Sequence, residues 1–561
     1  MKRKKWFIYL LAACLLAGAL SGCSGKQSTK APTVRPTEKA TEKATEKPTQ
    51  KPTEKATEKP TEKPTEKATE KPTDPPTEKP TETPNEVKIE GAKYVMIYNP
   101  YIYDDRDKNG NNNRTSLNTG FMGDQIVTGQ HRAEGLEDDL PNPGTISQYD
   151  FEQLFEAPEI NEGGRAGGLD PVYSKKDKHV FKVFDDMNLS KLPRGKYEFT
   201  CLYAGEHCYV WDADGSVTQD QAKTLGTEFD KKVFQADEEM FGSGRFTENG
   251  GKVNILIRPM QENICGYYID LDIYATGEVE PFYELMCGYN YDHAIININS
   301  IWVNYDIDYT LSTLAHEYQH QIVATDWVEY HPKGQKLRSW LNEAMSAFAE
   351  DMVYPGIKTD NGYSMYMFLS SKFTKGQSLY NFDITNDDWI GAYGAVWLFA
   401  QYLSEKAGDQ VFANVHEAFR TSKSQSPSEA EVLYKAVSET YRNEIDRKYS
   451  YPSFIENEIK DKNELWMSKM TLDFQLNSLT VDIGDSKKYP DTAEEEWYAT
   501  HLMMQYAEMG AQTIEGGGRM IIALENGTFT IPKDAEKGLI YIGLDENFEP
   551  VTGLFTAAGE N

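Results

Sequence analysis

Three side chains near the middle of the chain have the spacing of a metal-activating centre. His316, Glu317 and His320 form the pattern H-E-x-x-H inside the stretch Leu311–Met352. In a helix, residues four apart share a face, so both imidazoles can point at one ion. Zinc accepts neutral imidazole nitrogen, prefers four ligands and leaves one position open in a catalytic site. Glu317 can reach a water in that position without being a ligand. It would take the proton as the water attacks a peptide carbonyl and pass it to the leaving amine. The plainer alternative is a solvated polar face. Leu311, Leu314, Ala315, Ile322 and Val323 argue against it, because they make this a core helix, where two His and a Glu require partners. The expectation is one catalytic Zn2+.

A third ligand must come from elsewhere. The compact arrangement H-E-x-x-H-x-x-G-x-x-H does not fit, since Val323 stands at the Gly position and Asp326 at the final His. Without that Gly the helix does not turn back easily to bring position 326 to the ion, which leaves Asp326 a weak alternative. The other arrangement takes a Glu from a later helix. Ser339–Met352 supplies Glu343 among Trp340, Leu341, Ala344, Met345, Ala347 and Phe348. A carboxylate in so apolar a setting needs a partner, although a Glu near a helix start can also simply face water near the dipole. Glu350 lies seven residues on, about two turns along the same face. It reads either as a group orienting a ligand His or as a surface residue.

With these residues in view, H-E-Y-Q-H followed by W-L-N-E-A-M-S-A-F-A-E resembles the gluzincin peptidases. It is most similar to the hyicolysin-type neutral metallopeptidases, whose pattern is H-E-F-Q-H and then W-L-N-E-G-L-S with a trailing A-E. Flanking agreement comes from HCYVW at His207–Trp211, EFD at Glu228–Asp230 and YGAVWLFAQYL at Tyr393–Leu403. The resemblance covers about residues 200–450. It implies His316, His320 and Glu343 as zinc ligands and Glu317 as catalytic base. Ala344, where the family often has Gly, is a small departure. Such a peptidase also needs an oxyanion donor, usually Tyr or His. Tyr393 is the first candidate; His331 and His416 are weaker ones.

The elements that must position this centre are legible in outline. Thr218–Met240 has a helical pattern, Lys252–Pro259 and Ala294–Ile298 read as buried strands, and the H-E-x-x-H helix follows. That order predicts an α+β fold: a zincin-like catalytic domain, sheet plus active-site helices, with flanking β-rich regions. Further helical segments run over Met365–Ser371, Tyr393–Lys406, Asp409–Ser422 and Glu429–Tyr449. Arg519–Leu524, Gly527–Ile531 and Leu539–Leu544 suggest C-terminal strands, and Ala92–Tyr103 an N-terminal one.

The first residues predict export. Lys2, Arg3, Lys4 and Lys5 precede an apolar stretch, Trp6–Leu20, that is short for a membrane span. Leu20-Ser21-Gly22-Cys23 resembles a bacterial lipoprotein signal, with Cys23 acylated after cleavage. From Thr37 to Pro84 the chain repeats T-E-K-A or T-E-K-P. That tract has no aromatic or large aliphatic residue, so it buries no core. Its roughly 48 residues at about 3.1 Å each could reach about 150 Å.

The expected organisation is a signal peptide (1–22), a spacer (23–86), a β-rich N-terminal domain (87–196), a zincin domain (197–450) and a C-terminal β-rich region (451–561). Asp105–Asn113 partly matches a calcium loop but has Ser116 where the bidentate Glu belongs. A polar turn is the plainer reading, with a structural Ca2+ the alternative. Cys201, Cys208, Cys265 and Cys287 remain after export, where disulfides are allowed; three pairings or free buried thiols are all open.

The 561-residue chain has a formal charge of -30, which argues against nucleic acid as a partner. The function expected is an extracellular, membrane-anchored zinc metalloendopeptidase acting on proteins or peptides. The competitor is a surface-binding or adhesive lipoprotein whose zincin domain is structural or narrowly specific. The retained Glu317 favours the enzyme.

Overall fold

The computed structural model of the chain describes residues 86–102, 117–118, 172–184, 193–247, 250–261, 264–279, 287–332, 336–355, 357, 376, 378–380, 382, 389–478, 513–524, 527–532, 534–556 and 559–560. The signal peptide, Cys23, the repeat tract to residue 85, the calcium-like loop at 105–113 and the helical segment at 365–371 lie outside the described residues. Residues from Pro80 onward form one compact unit.

The first strands are β1 (Glu86–Lys88), β2 (Tyr94–Tyr98) and β3 (Leu117–Asn118). Next come β4 (Lys178–Val183), β5 (Gly195–Ala204) and β6 (Cys208–Asp212). Helix α1 (Gln219–Glu228) passes through a π turn at Phe229–Val233 into α2 (Phe234–Phe241). Thr218 and Gln221 cap α1 reciprocally, which satisfies two free donors at the helix start. Strands β7 (Val253–Arg258), β8 (Gly266–Tyr267) and β9 (Ala294–Asn299) lead to the short α3 (Ser300–Tyr305). The long α4 (Ile307–Tyr330) and α5 (Ser339–Val353) follow.

Among the described residues there follow α6 (Trp389–Ala407), α7 (Gln410–Arg420), α8 (Glu429–Ala436), α9 (Glu439–Lys448) and α10 (Ser453–Glu458). Then come α11 (Lys462–Asn477), β10 (Thr513–Ile514), β11 (Arg519–Ala523), β12 (Thr528–Thr530) and β13 (Ile540–Leu544). The chain ends on β14 (Phe555–Thr556) and β15 (Gly559–Glu560).

The fold is α+β. Its centre is a six-stranded sheet in the order β4-β5-β6-β7-β9-β8. β6, β7 and β9 are parallel; β4, β5 and the edge strand β8 are antiparallel. Every residue of β7 and β9 is buried, as parallel strands covered on both faces require. Alternation sorts the side chains. Val210, Ile255, Ile257, Ile296 and Ile298 join the large core with the helices, whereas Tyr209, Trp211, Leu256 and Ile295 form a separate cluster with Phe181 and Phe199 on the other face. α4 starts on Asp306, whose carboxylate accepts from the Tyr309 N–H at 3.0 Å. From Tyr309 to Val328 it is buried on all sides, the mark of a central helix.

Edge strand β8 lies hard against α4. A Cβ at Gly266 would sit 2.9 Å from Thr313 Cγ2 and 3.0 Å from the Asn297 carbonyl; only Gly permits that approach. Arg194, in the turn before β5, locks the loop after β8. Its guanidinium donates to Asp272 at 2.6 and 2.9 Å and to the Gly288 carbonyl at 2.8 Å, and the pair is 1% exposed on both sides.

Four expectations differ from the structure. β2 lies between β11 and β13, so strands read as belonging to the N-terminal and C-terminal regions share one sheet, β11-β2-β13-β14-β15. β4 and the start of β5, assigned to the region before residue 197, are part of the central sheet. Residues 451–477, grouped with a β-rich end, are mostly α10 and α11. Local composition reports strand or helix, while pairing across hundreds of residues is decided by which apolar faces meet. The helical stretch Glu429–Tyr449 is two helices, each started by a serine cap, Ser428 and Ser438.

Arg194→Ala leaves Asp272 buried without its cation. It is expected to lose about 3–5 kcal/mol of unfolding free energy, measured by urea denaturation, with part recovered in Arg194→Ala/Asp272→Ala.

Candidate metal centre

α4 and α5 pack side by side and bring three donors together. His316 Nε2 lies 3.2 Å from Glu343 Oε2, and His320 Nε2 lies 3.6 Å from the same oxygen. The ligand atoms of His316, His320 and Glu343 all fall within 4.8 Å of one another. The two imidazole rings are 4.7 Å apart and nearly perpendicular, at 82°. All three side chains are at most 1% exposed. Around a tetrahedral ion with bonds of about 2.0–2.1 Å, ligand atoms stand about 3.3 Å apart; the observed spacing matches that. His316 Nε2 makes no hydrogen bond despite its closeness to Glu343. Nε2 of each imidazole faces the same Glu343 oxygen, so the three donor atoms converge. Two imidazoles and a carboxylate suit zinc, whereas calcium and magnesium take all-oxygen sets.

Helical spacing explains the convergence. His316 and His320 are one turn apart on α4, and the apolar face formed by Trp340, Leu341, Ala344 and Met345 presses Glu343 inward on α5. His316 Nδ1 meets Glu350 Oε1 at 2.5 Å. Glu350 is buried, so of the two sequence readings the structure selects the orienting one. His320 is held by Ser346, whose Oγ lies 3.1 Å from Nδ1 and also meets Gln319 Oε1 at 2.5 Å. Ser346 went unnoticed in the sequence, although its place three residues after Glu343, on the same helix face, could have marked it.

Glu317 is fully buried, and neither carboxylate oxygen has a hydrogen-bond partner among the described residues. Burial pushes its carboxyl well above the usual range, opposed by His316. Burial alone would lower His316, but Glu350 and Glu343 outweigh it and hold the imidazolium at about 10. Glu343 moves the other way: burial would raise it, yet His320 and His316 bring it to about 2. His320 is lowered, chiefly by burial. Glu343 and His316 thereby hold each other as carboxylate and imidazolium.

The weaker candidates are placed elsewhere. Asp326 accepts from Arg420 Nε at 2.6 Å and meets His416 Nδ1 at 2.6 Å, so Asp326 and His416 are committed to tying α4 to α7. His331 Nε2 donates to the Phe419 carbonyl at 2.6 Å. Tyr393 is buried, with its ring centre 6.4 Å from that of His316; it alone of the three oxyanion candidates stands beside the centre. Cys201, Cys208, Cys265 and Cys287 are free and buried, which rules out every pairing left open by the sequence. Burial pushes the Cys201 thiol to about 11 and Cys208 well above its ordinary value.

No family model matches the chain. It is 26% identical over 332 residues to the neutral metalloprotease ShpI of Staphylococcus hyicus, covering 56% of this chain and 71% of that protein. This supports a metallopeptidase relationship. A structure of a functionally unknown conserved protein from Bacillus anthracis str. Ames aligns with a TM-score of 0.25 and 15% identity, over 47% of this chain. The chain spans about half the length of that protein, at 52%, and the score is too low to speak for the fold. Among the described residues, no helix is long and apolar enough to cross a membrane.

At pH 7.5 the metal-free protein carries a proton on His316, because its pKa of about 10 lies above that pH. An ion needs the neutral imidazole, so loading must displace the proton. Calorimetric zinc titration in buffers of different ionisation enthalpy is expected to report at least one proton released per ion. Apparent affinity is expected to fall about tenfold per unit of acidification from pH 8 to 6. Glu350→Gln, which weakens the hold on His316, is expected to cost about 10–100-fold in zinc affinity.

Proposed function

We propose that the chain is an extracellular, membrane-anchored, zinc-dependent metalloendopeptidase that hydrolyses peptide bonds in proteins or peptides. The observation that carries this reading is the convergence of His316, His320 and Glu343 in one buried site, with the unpartnered carboxylate of Glu317 one residue from a ligand. The similarity to a neutral metalloprotease points the same way. His316, His320 and Glu343 would hold the ion. When bound, zinc supplies Lewis acidity to a water and to the scissile carbonyl.

The chain's own residues do the rest. Glu317 accepts a proton from the attacking water at its carboxylate and delivers it to the departing amine nitrogen. Glu350 fixes the His316 ring through Nδ1, leaving Nε2 for the ion. Burial excludes bulk water and strengthens each electrostatic interaction in the site. Tyr393, on α6, is the group we assign to stabilise the oxyanion. Acylation at Cys23 would fix the chain to the outer face of the membrane, with the spacer of residues 23–86, which contains the Thr37–Pro84 repeat, holding the enzyme away from the lipid surface.

Metal content and casein cleavage of the full chain test the reading. Glu317→Ala is expected to keep zinc and lose about 10²–10⁴-fold in rate. Glu343→Ala is expected to lose the ion. Undiminished cleavage by Glu317→Ala would sink the mechanism. Unchanged zinc affinity in Glu343→Ala would remove that residue from the ligand set.

A further inference from the structure

On the face of the central sheet turned away from α4 and α5, three more donors converge. Tyr173 Oη lies 3.2 Å from His179 Nδ1 and 3.3 Å from His293 Nε2. The two imidazole ring centres are 5.3 Å apart, with planes tilted by 33°. His179 is on β4, His293 stands immediately before β9, and Tyr173 approaches from the segment ahead of β4. These nitrogen–oxygen spacings suit ligands sharing one ion of about 2.0–2.1 Å bond length, and they are close to the 3.2 and 3.6 Å at the first centre.

The surroundings prepare these groups. His293 Nδ1 lies 2.6 Å from the Tyr291 carbonyl. A carbonyl only accepts, so Nδ1 carries the ring proton and the Nε2 lone pair faces Tyr173. A ligand imidazole fixed through its other nitrogen by a backbone carbonyl is the usual arrangement at metal sites. Tyr173 is anchored before any ion arrives: its N–H donates to Tyr209 Oη at 3.2 Å, and its ring packs edge-on to Trp211 at 4.8 Å.

The backbone on both sides is strained. Among the described residues, non-glycine positive φ occurs at Lys176 (78°), Asp292 (62°) and Phe548 (62°). The first two flank this cluster. Both oxygens of Asp292 are held by Thr276, at 3.0 and 2.5 Å. Strain kept in place by such contacts gathers at functional positions.

We propose that Tyr173, His179 and His293 form a second metal site, for a divalent transition ion of the zinc or copper class. Two imidazoles select that class over calcium or magnesium. His179 would ligate through Nδ1, its ring proton moving to Nε2 by way of solvent. Tyr173 would ligate as phenolate, its proton leaving to solvent. The ion would tie the Tyr173 segment to β4 and to the entry of β9, across the sheet from the first centre.

Zinc stoichiometry of the full chain after equilibrium dialysis tests this. Two ions per chain are expected, falling to one in His179→Ala/His293→Ala and to one in His316→Ala/His320→Ala, with each remaining ion at the untouched site. Copper provides a check that does not depend on either double variant folding. Added to the His316→Ala/His320→Ala protein or to the parent chain, Cu2+ is expected to produce a phenolate-to-copper charge-transfer band that Tyr173→Phe abolishes. A single ion in the parent chain, a count unchanged by His179→Ala/His293→Ala, or a copper band that survives in Tyr173→Phe would each overturn the proposal.

Discussion

The structure depends on one electrostatic constraint: His316, His320, Glu317, Glu343 and Glu350 are all buried, with His316 in contact with both Glu343 and Glu350. Isolated charges in such an interior cost several kcal/mol each. Pairing offsets part of that cost, with Glu343 held ionised at about 2 and His316 held protonated at about 10. That solution is incomplete, since the Glu317 oxygens and His316 Nε2 make no hydrogen bond. A divalent cation would replace the imidazolium proton and compensate the remaining carboxylates. The arrangement is therefore poor as a structural polar network and good as a cation site.

Holding that constraint requires rigid walls. α4 is buried over nearly its whole length, so its ligands cannot escape to solvent by a small tilt. α5 packs its Trp340 side against the core and presents Glu343 and Glu350 to the same histidine. β8 closes one flank, and Gly266 lets it lie against Thr313. Arg245 clamps the C-terminal half of α4, with ion pairs to Glu278 at 2.5 Å and Glu329 at 2.7 Å. Each device removes a degree of freedom from the ligands, which is what a preorganised site needs.

The centre was legible because its signals are local. H-E-x-x-H and the apolar frame around Glu343 are helical spacings, and spacing alone places side chains on a face. The α+β class followed from strand and helix patterns in order. What escaped was long-range. Nothing near Tyr94–Tyr98 announces pairing with residues more than four hundred positions away, and nothing in Glu429–Tyr449 but two serines marks the break between α8 and α9. Tyr173, His179 and His293 were invisible for the same reason: 114 residues separate the two histidines, a distance that only the folded sheet removes.

The two carboxylate–histidine pairs on α4 show why geometry, not residue type, assigns roles. His316 with Glu350 and His416 with Asp326 have nearly the same contact, 2.5 and 2.6 Å, and both are buried. In each, the carboxylate fixes the ring through Nδ1. The difference lies at the far nitrogen. His316 Nε2 faces Glu343 and His320, donors that can share an ion. Among the described residues, His416 Nε2 makes no hydrogen bond, and its ring centre lies 5.2 Å from that of Phe241. Asp326 is also engaged by Arg420, which supplies the compensating cation from within the protein. Two similar dyads that share α4 thus differ in what surrounds them: one, with Glu350 on α5, stands in a cluster that could hold a metal, and the other is a clasp between α4 and α7.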